Sequence, residues 1–258
     1  MGLKSSEAVV IGGHNLGEAD RIVVFYTRSY GKVRAVAAGA RRIRSRFGGS
    51  LEPFTHGRLV YFERPQSDLH RLNEFAIRQP FHALRSSLEL LAAASEVAEL
   101  AGVAGLEGEG SDEFFALIVD TMGGLNTGKD SSLLLRAFEI RLLKILGYVP
   151  ELHRCVKCRG ALPEGDQSFG LNEGGLLCQA CRAEALESMP VTQAARQFLR
   201  MALGEMTALD RVSPDAKMSD ELRSLLQTFL EFKLGRRIRS ARFLAGISGF
   251  SLDTSSPS

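Results

Sequence analysis

All four cysteines of this 258-residue chain stand in two pairs, Cys155-Val156-Lys157-Cys158 and Cys178-Gln179-Ala180-Cys181, with 19 residues between the pairs. Two cysteines three apart curl the backbone into a tight knuckle whose sulfurs face one point. Two such knuckles complete a tetrahedral shell of thiolates around one metal ion. The intervening segment carries Gly160, Pro163, Gly165, Gly170, Gly174 and Gly175, turn formers that suit the loops and short hairpin of a zinc ribbon. The chain opens MGLKSSEAVV with no apolar leader, so a cytosolic setting is expected, and there a disulfide pair is disfavoured. A redox Cys-x-x-Cys needs only one pair, beside a βαβ pattern that is missing. The spacing therefore predicts one structural zinc ion held by Cys155, Cys158, Cys178 and Cys181. A shell of four sulfurs leaves no open position for a nucleophilic water. His153 is the one spare ligand candidate and reads as a solvent-facing loop residue.

The first 79 residues read as strands. Glu7–Ile11, Arg21–Thr27, Lys32–Ala38, Arg58–Glu63 and Asp68–Ile77 are rich in Val, Ile, Phe and Tyr. Gly12-Gly13-His14-Asn15 and Ser29-Tyr30-Gly31 supply turn chemistry, so the first three should form an antiparallel meander. Five strands in this length predict a small barrel, of the oligonucleotide-binding or the SH3-like kind; pattern alone does not separate them.

From about Phe81 the period becomes helical, with Leu84, Leu88, Leu91 and Val97, then Phe114, Phe115, Ile118 and Met122 behind a Ser111 start. A third helix, capped by Asp130 or Ser131 and closed by Gly147, has few polar residues and should be the most buried. Two more are expected over Thr192–Leu203 and Ser219–Leu234. The fold class is thus α+β: a barrel over 1–79, a helical domain over 80–245 with the ribbon inserted at 153–184, and a disordered Ser- and Gly-rich tail over 246–258. No run of apolar residues is long enough to span a membrane. The loose N-terminal acylation pattern Met1-Gly2-Leu3-Lys4-Ser5-Ser6 reads as a strand lead-in.

The net charge of +2 is unevenly spread: residues 1–79 hold 13 Lys and Arg against 7 Asp and Glu, and the rest of the chain is net negative. The excess concentrates in Arg41, Arg42, Arg44 and Arg46, four arginines within six residues flanked by glycines, with no acid among them. Such a mobile positive loop can follow a phosphate backbone. Lys32 and Arg34 alternate along the preceding strand and point to the same face. Phe47, Tyr61 and Tyr30 are candidates for base stacking, though aromatics of small barrels are more often core. A second cluster, Lys233, Arg236, Arg237, Arg239 and Arg242, follows the last helix, where the dipole favours cations anyway. Phosphate-loop, dinucleotide-binding, zinc-protease and deaminase motifs are all missing, and His14, His56, His70 and His82 stand apart. No enzyme is expected.

The residues Gly17-Glu18-Ala19-Asp20-Arg21-Ile22, Gly31-Lys32, Gly39-Ala40-Arg41-Arg42, Arg136–Leu143 and Leu146-Gly147-Tyr148-Val149-Pro150 resemble the bacterial DNA repair protein RecO family. The cysteine pairs joined through Ser168-Phe169 and Gly174-Gly175, then Leu234-Gly235-Arg236-Arg237 and Ser240–Leu244, extend the resemblance over nearly the whole chain. It implies an N-terminal oligonucleotide-binding barrel and a helical body with an inserted zinc ribbon. It also implies a cytoplasmic, nucleoid-associated recombination mediator that binds single- and double-stranded DNA and anneals complementary strands. RecR and the single-strand-binding protein are the implied partners, with RecA loaded at gaps. The rival reading is a zinc-ribbon protein adaptor that does not bind DNA directly.

Overall fold

The computed structural model describes residues 2–204 and 216–240; Arg242 and the tail expected over 246–258 lie outside them. The chain divides into two compact units, Met1–Lys129 with the residues from Ile238 onward, and Asp130–Arg237. The change from strand to helix near residue 80 lies inside the first.

In the first unit, β1 (Leu3–Leu16), β2 (Asp20–Thr27), β3 (Gly31–Ala37), β4 (His56–Phe62) and β5 (Leu69–Gln79) close into a barrel of order β1-β2-β3-β5-β4. Every pairing is antiparallel except β3 with β5. That Greek-key order identifies the barrel as the oligonucleotide-binding kind. Alternation places Val23, Phe25, Val33, Ala35, Leu59, Tyr61 and Leu72 inside. Each large side chain removed from water there contributes about 1.5–3 kcal/mol.

Gly12 and Gly13, expected in a turn, lie instead within β1, where the register shifts between Val10 and Gly12. The bulge bends a 14-residue strand around the barrel, so the chain turns only at Gly17-Glu18-Ala19. A Cβ on Gly13 would stand 2.5 Å from the Ile22 carbonyl oxygen, so the bend needs glycine.

Outside β1 and β2 pack α1 (Leu88–Ala104) and α2 (Asp112–Asn126), whose first turns are capped by the hydroxyls of Ser87 and Ser111. The buried face of α1 is mostly alanine, Ala92, Ala93, Ala94, Ala98 and Ala101, with Glu96, Val97 and Leu100, whereas Leu88 and Leu91 are exposed. Small side chains let the helix lie close to the barrel. Tyr26 meets Phe114 at 4.9 Å between ring centroids and fills the space beside Gly105.

The second unit is built on α3 (Ser131–Ile145), whose N-terminus is capped by Asp130 and ten of whose 15 residues are buried. The ribbon consists of β6 (Gln167–Gly170), β7 (Gly175–Leu177), the single turn α4 (Gln179–Arg182) and β8 (Ser188–Val191). Its sheet has the order β7-β6-β8. Sequence patterning does not mark β8, which is short and carries Pro190. Then α5 (Gln193–Leu203) and α6 (Ala216–Leu234) pack on α3. No helix among the described residues is long and apolar enough to cross a membrane.

Candidate metal centre and nucleic-acid interface

The four cysteine sulfurs all lie within 4.8 Å of one another, Cys158 and Cys178 at 3.8 Å. A zinc–sulfur bond of about 2.3 Å sets the edge of a tetrahedron of sulfurs at about 3.8 Å, so the cluster is the size of a thiolate shell. A disulfide needs about 2.05 Å, and all four cysteines are free. The first knuckle is closed by the Cys155 amide donating to the Gly160 carbonyl and the Arg159 amide donating to the Cys155 carbonyl, both at 2.9 Å. Arg159 takes a left-handed φ of 63° to make that turn. In the second, the Arg182 amide donates to the Cys178 carbonyl at 2.9 Å, folding Cys181 back under Cys178.

The surroundings hold these knuckles in place. Val156 donates to the Leu176 carbonyl, which ties the first knuckle to β7. Behind it, Arg196 and Arg200 of α5 both donate to the Leu152 carbonyl, at 3.0 Å from each Nε. Burial opposes ionisation of Cys155, but the backbone amides of Cys158, Cys178 and Lys157 outweigh it and bring the thiol down to about 6. The hydrogen bond to Cys178, with burial, pushes Cys181 up to about 12. Crowded sulfurs resist sharing negative charge, and a divalent cation is what allows all four to ionise. The donor set therefore fits one thiophilic metal ion. His153 is exposed and outside the cluster; its amide donates to Glu151.

The arginine loop joins β3 to β4 in the first unit. Its start is fixed to the β1–β2 turn: the Gly39 amide donates to the Asp20 carboxylate at 2.8 Å, and the Arg41 amide to the Ala19 carbonyl at 3.0 Å. Its end is fixed by Phe47 and Leu51, both in the barrel core. Between these anchors the backbone runs through successive tight turns, Arg42 to Gly39, Ser45 to Arg42 and Gly48 to Ser45. The loop thus follows a defined series of turns between its two anchors.

Arg41, Arg42, Arg44 and Arg46 are all exposed. Arg41 donates to the Gly17 carbonyl, and Arg46 lies 4.8 Å over the Phe47 ring and reaches the Leu72 carbonyl at 3.4 Å. Among the described residues none of the four has a carboxylate partner. Lys32 and Arg34 do face the same side of β3, but each is already matched: Lys32 by Glu107 at 3.4 Å and Arg34 by Asp68 at 2.6 Å. Phe47 and Tyr61 are 6% and 1% exposed and have no face to offer a base. Tyr30 is half-buried against Tyr61 and lies under Lys4. The burial of Phe47 and Tyr61 follows the tendency of small-barrel aromatics to be core, whereas the pairing acids were not readable, because Glu107 and Asp68 are far away in sequence.

Comparison with known proteins returns one consistent group. A family model described as recombination protein O N terminal matches residues 1–81, and one described as recombination protein O C terminal matches residues 85–242. The chain is 38% identical over 237 residues to the DNA repair protein RecO of Anaeromyxobacter dehalogenans strain 2CP-C, covering 92% of this chain and 93% of that one. It is 35% identical over 241 residues to that of Myxococcus xanthus, covering 93% and 96%. With that of Pelotomaculum thermopropionicum it shares 32% over 245 residues, covering 95% and 94%.

Proposed function

The chain belongs to the RecO family of non-enzymatic DNA repair and recombination proteins, and on that footing we propose that it binds single- and double-stranded DNA through its barrel and anneals complementary strands. The observation that carries this reading is the loop of Arg41, Arg42, Arg44 and Arg46, exposed and without carboxylate partners among the described residues. Two complementary strands repel one another. A positive surface that neutralises both backbones lowers that barrier, and releases condensed counterions, without making or breaking a covalent bond.

Lys32 and Arg34 extend the contact along β3. Exposed ion pairs are worth about 0–1 kcal/mol, so phosphates can compete with Glu107 and Asp68 for them. Their share is smaller than that of the loop. Cys155, Cys158, Cys178 and Cys181 hold one zinc ion, whose work is to fold the ribbon. In the same reading the protein acts with RecR and the single-strand-binding protein so that RecA is loaded at gaps, in the cytoplasm at the nucleoid; family membership supports this part.

The test is a salt titration of single-strand binding and of annealing, comparing the native chain with the Arg41→Ala/Arg42→Ala/Arg44→Ala/Arg46→Ala variant. Native binding should fall steeply with salt. The slope of log affinity against log salt should flatten in the variant by up to about 3, at roughly 0.7 per lost single-strand phosphate contact. Absence of salt-sensitive DNA binding by the native chain would discard the reading in favour of a protein adaptor.

A further inference from the structure

In the second unit, the Lys233 ammonium near the end of α6 lies among three aromatic rings, 5.7 Å from the centroid of Tyr148, 5.2 Å from Phe229 and 5.1 Å from Phe232. Phe229 is core. Tyr148 and Phe232, however, are 41% and 44% exposed, and Val149 beside them is 55% exposed. Lys233 has no carboxylate partner among the described residues. Gly235 ends α6 at a left-handed φ of 65°, and Arg236 and Arg237 follow it, exposed and likewise unpaired. The nearest acid in the Tyr148 segment, Glu151, is neutralised by Arg154 and Arg159 and accepts the His153 amide.

The helix dipole accounts for cations at this end of α6. It does not account for two rings left open to water beside them. Flat aromatic faces next to unpaired cations are the elements of a single-strand nucleic-acid platform: every base has a face to stack, and the cations hold the flanking phosphates. An apolar peptide would use the rings but gain nothing from Lys233, Arg236 and Arg237.

We propose that Tyr148 and Phe232, with Lys233, Arg236 and Arg237 around them, form a base-stacking surface for single-stranded DNA on the second unit. The proposal rests on the DNA-binding reading and adds to it a different physical mode. The arginine loop attracts backbones of any strandedness, whereas this surface requires unpaired bases.

That difference supplies the test, run on the full chain by anisotropy with an oligo-dT strand and with a duplex of equal length across a salt series. The Tyr148→Ala/Phe232→Ala variant should lose single-strand affinity by about five- to a hundredfold per stacked base, with duplex affinity and salt slope unchanged. The Tyr148→Leu/Phe232→Leu variant, which keeps apolar bulk but no π face, should lose single-strand affinity as well. Native single-strand affinity in either variant, or an equal loss on duplex, would overturn the stacking surface while leaving the arginine loop intact. If the native chain bound neither DNA, the underlying reading would fail instead.

Discussion

His56 shows what a single buried side chain does to this protein. It opens β4 at 7% exposure, edge-on to Phe115 of α2 at 5.8 Å. Burial holds its imidazole below the ordinary value and nearby Arg28 adds to the depression, while the neighbouring Gln79 side chain pulls the other way. A depressed pKa means that the unfolded chain takes up a proton before the folded one does. Stability is then fully present above about pH 6.5 and is lost as the pH falls below it. Protection of β4 amides, corrected for intrinsic exchange, should therefore drop between roughly pH 7.5 and 5.5, and His56→Gln should lessen that drop. His70, also lowered by burial, leaves a residual dependence in the variant. An unchanged profile in His56→Gln would refute the assignment. Nothing in the sequence marks His56, since its neighbours Phe115 and Arg28 are distant along the chain. The cysteines are the opposite case, because a knuckle is a local structure and both its sulfurs lie within one tetrapeptide.

At the scale of elements, legibility follows the same division between local and distant causes. All five barrel strands were marked by β-branched and aromatic residues, and Ser111 and Asp130 each accept the amide three residues on, as their positions predict, while Thr192, read as the first helical residue, caps α5 in the same way. In the α1 segment the apolar pattern held for Leu84, Val97 and the alanines, which are buried, but not for Leu88 and Leu91, which are exposed. The α3 helix was expected to be the most buried, yet its interior holds a charged pair. Arg136 meets Glu139 at 2.8 Å, with side chains 3% and 0% exposed. Bringing two charges out of water is costly, and their attraction recovers the loss only while both are present. Glu139→Ala should destabilise the unit by about 3–5 kcal/mol, whereas the volume-matched Arg136→Met/Glu139→Leu pair should come close to the native stability. Denaturant midpoints of the two variants decide this. A double variant as unstable as the single one would mean that the pair supports α3 beyond compensating its own burial.

For the whole molecule, the division into two units separates the metal from the charge proposed to bind DNA. The arginine loop is anchored by the β1–β2 turn and by Phe47 and Leu51 of the barrel core, all in the first unit. The cysteines, β6–β8 and the arginines of α5 behind Leu152 lie in the second. A four-thiolate zinc site contributes its binding free energy, on the order of 10 kcal/mol, to folding only where its ligands are. A Cys158→Ser/Cys178→Ser variant, or the native chain stripped by a strong chelator, should lose about one zinc per chain. Amide protection should then fall over residues 150–192 and stay native in β1–β5. Duplex binding, which we assign to the arginine loop with Lys32 and Arg34 of β3, should keep its affinity and its salt slope in the stripped protein, because among the described residues no loop contact involves a cysteine. Joint loss of the metal, barrel protection and duplex binding would mean that the units fold as one cooperative body, and that zinc supports the DNA-binding surface through the fold of the whole chain.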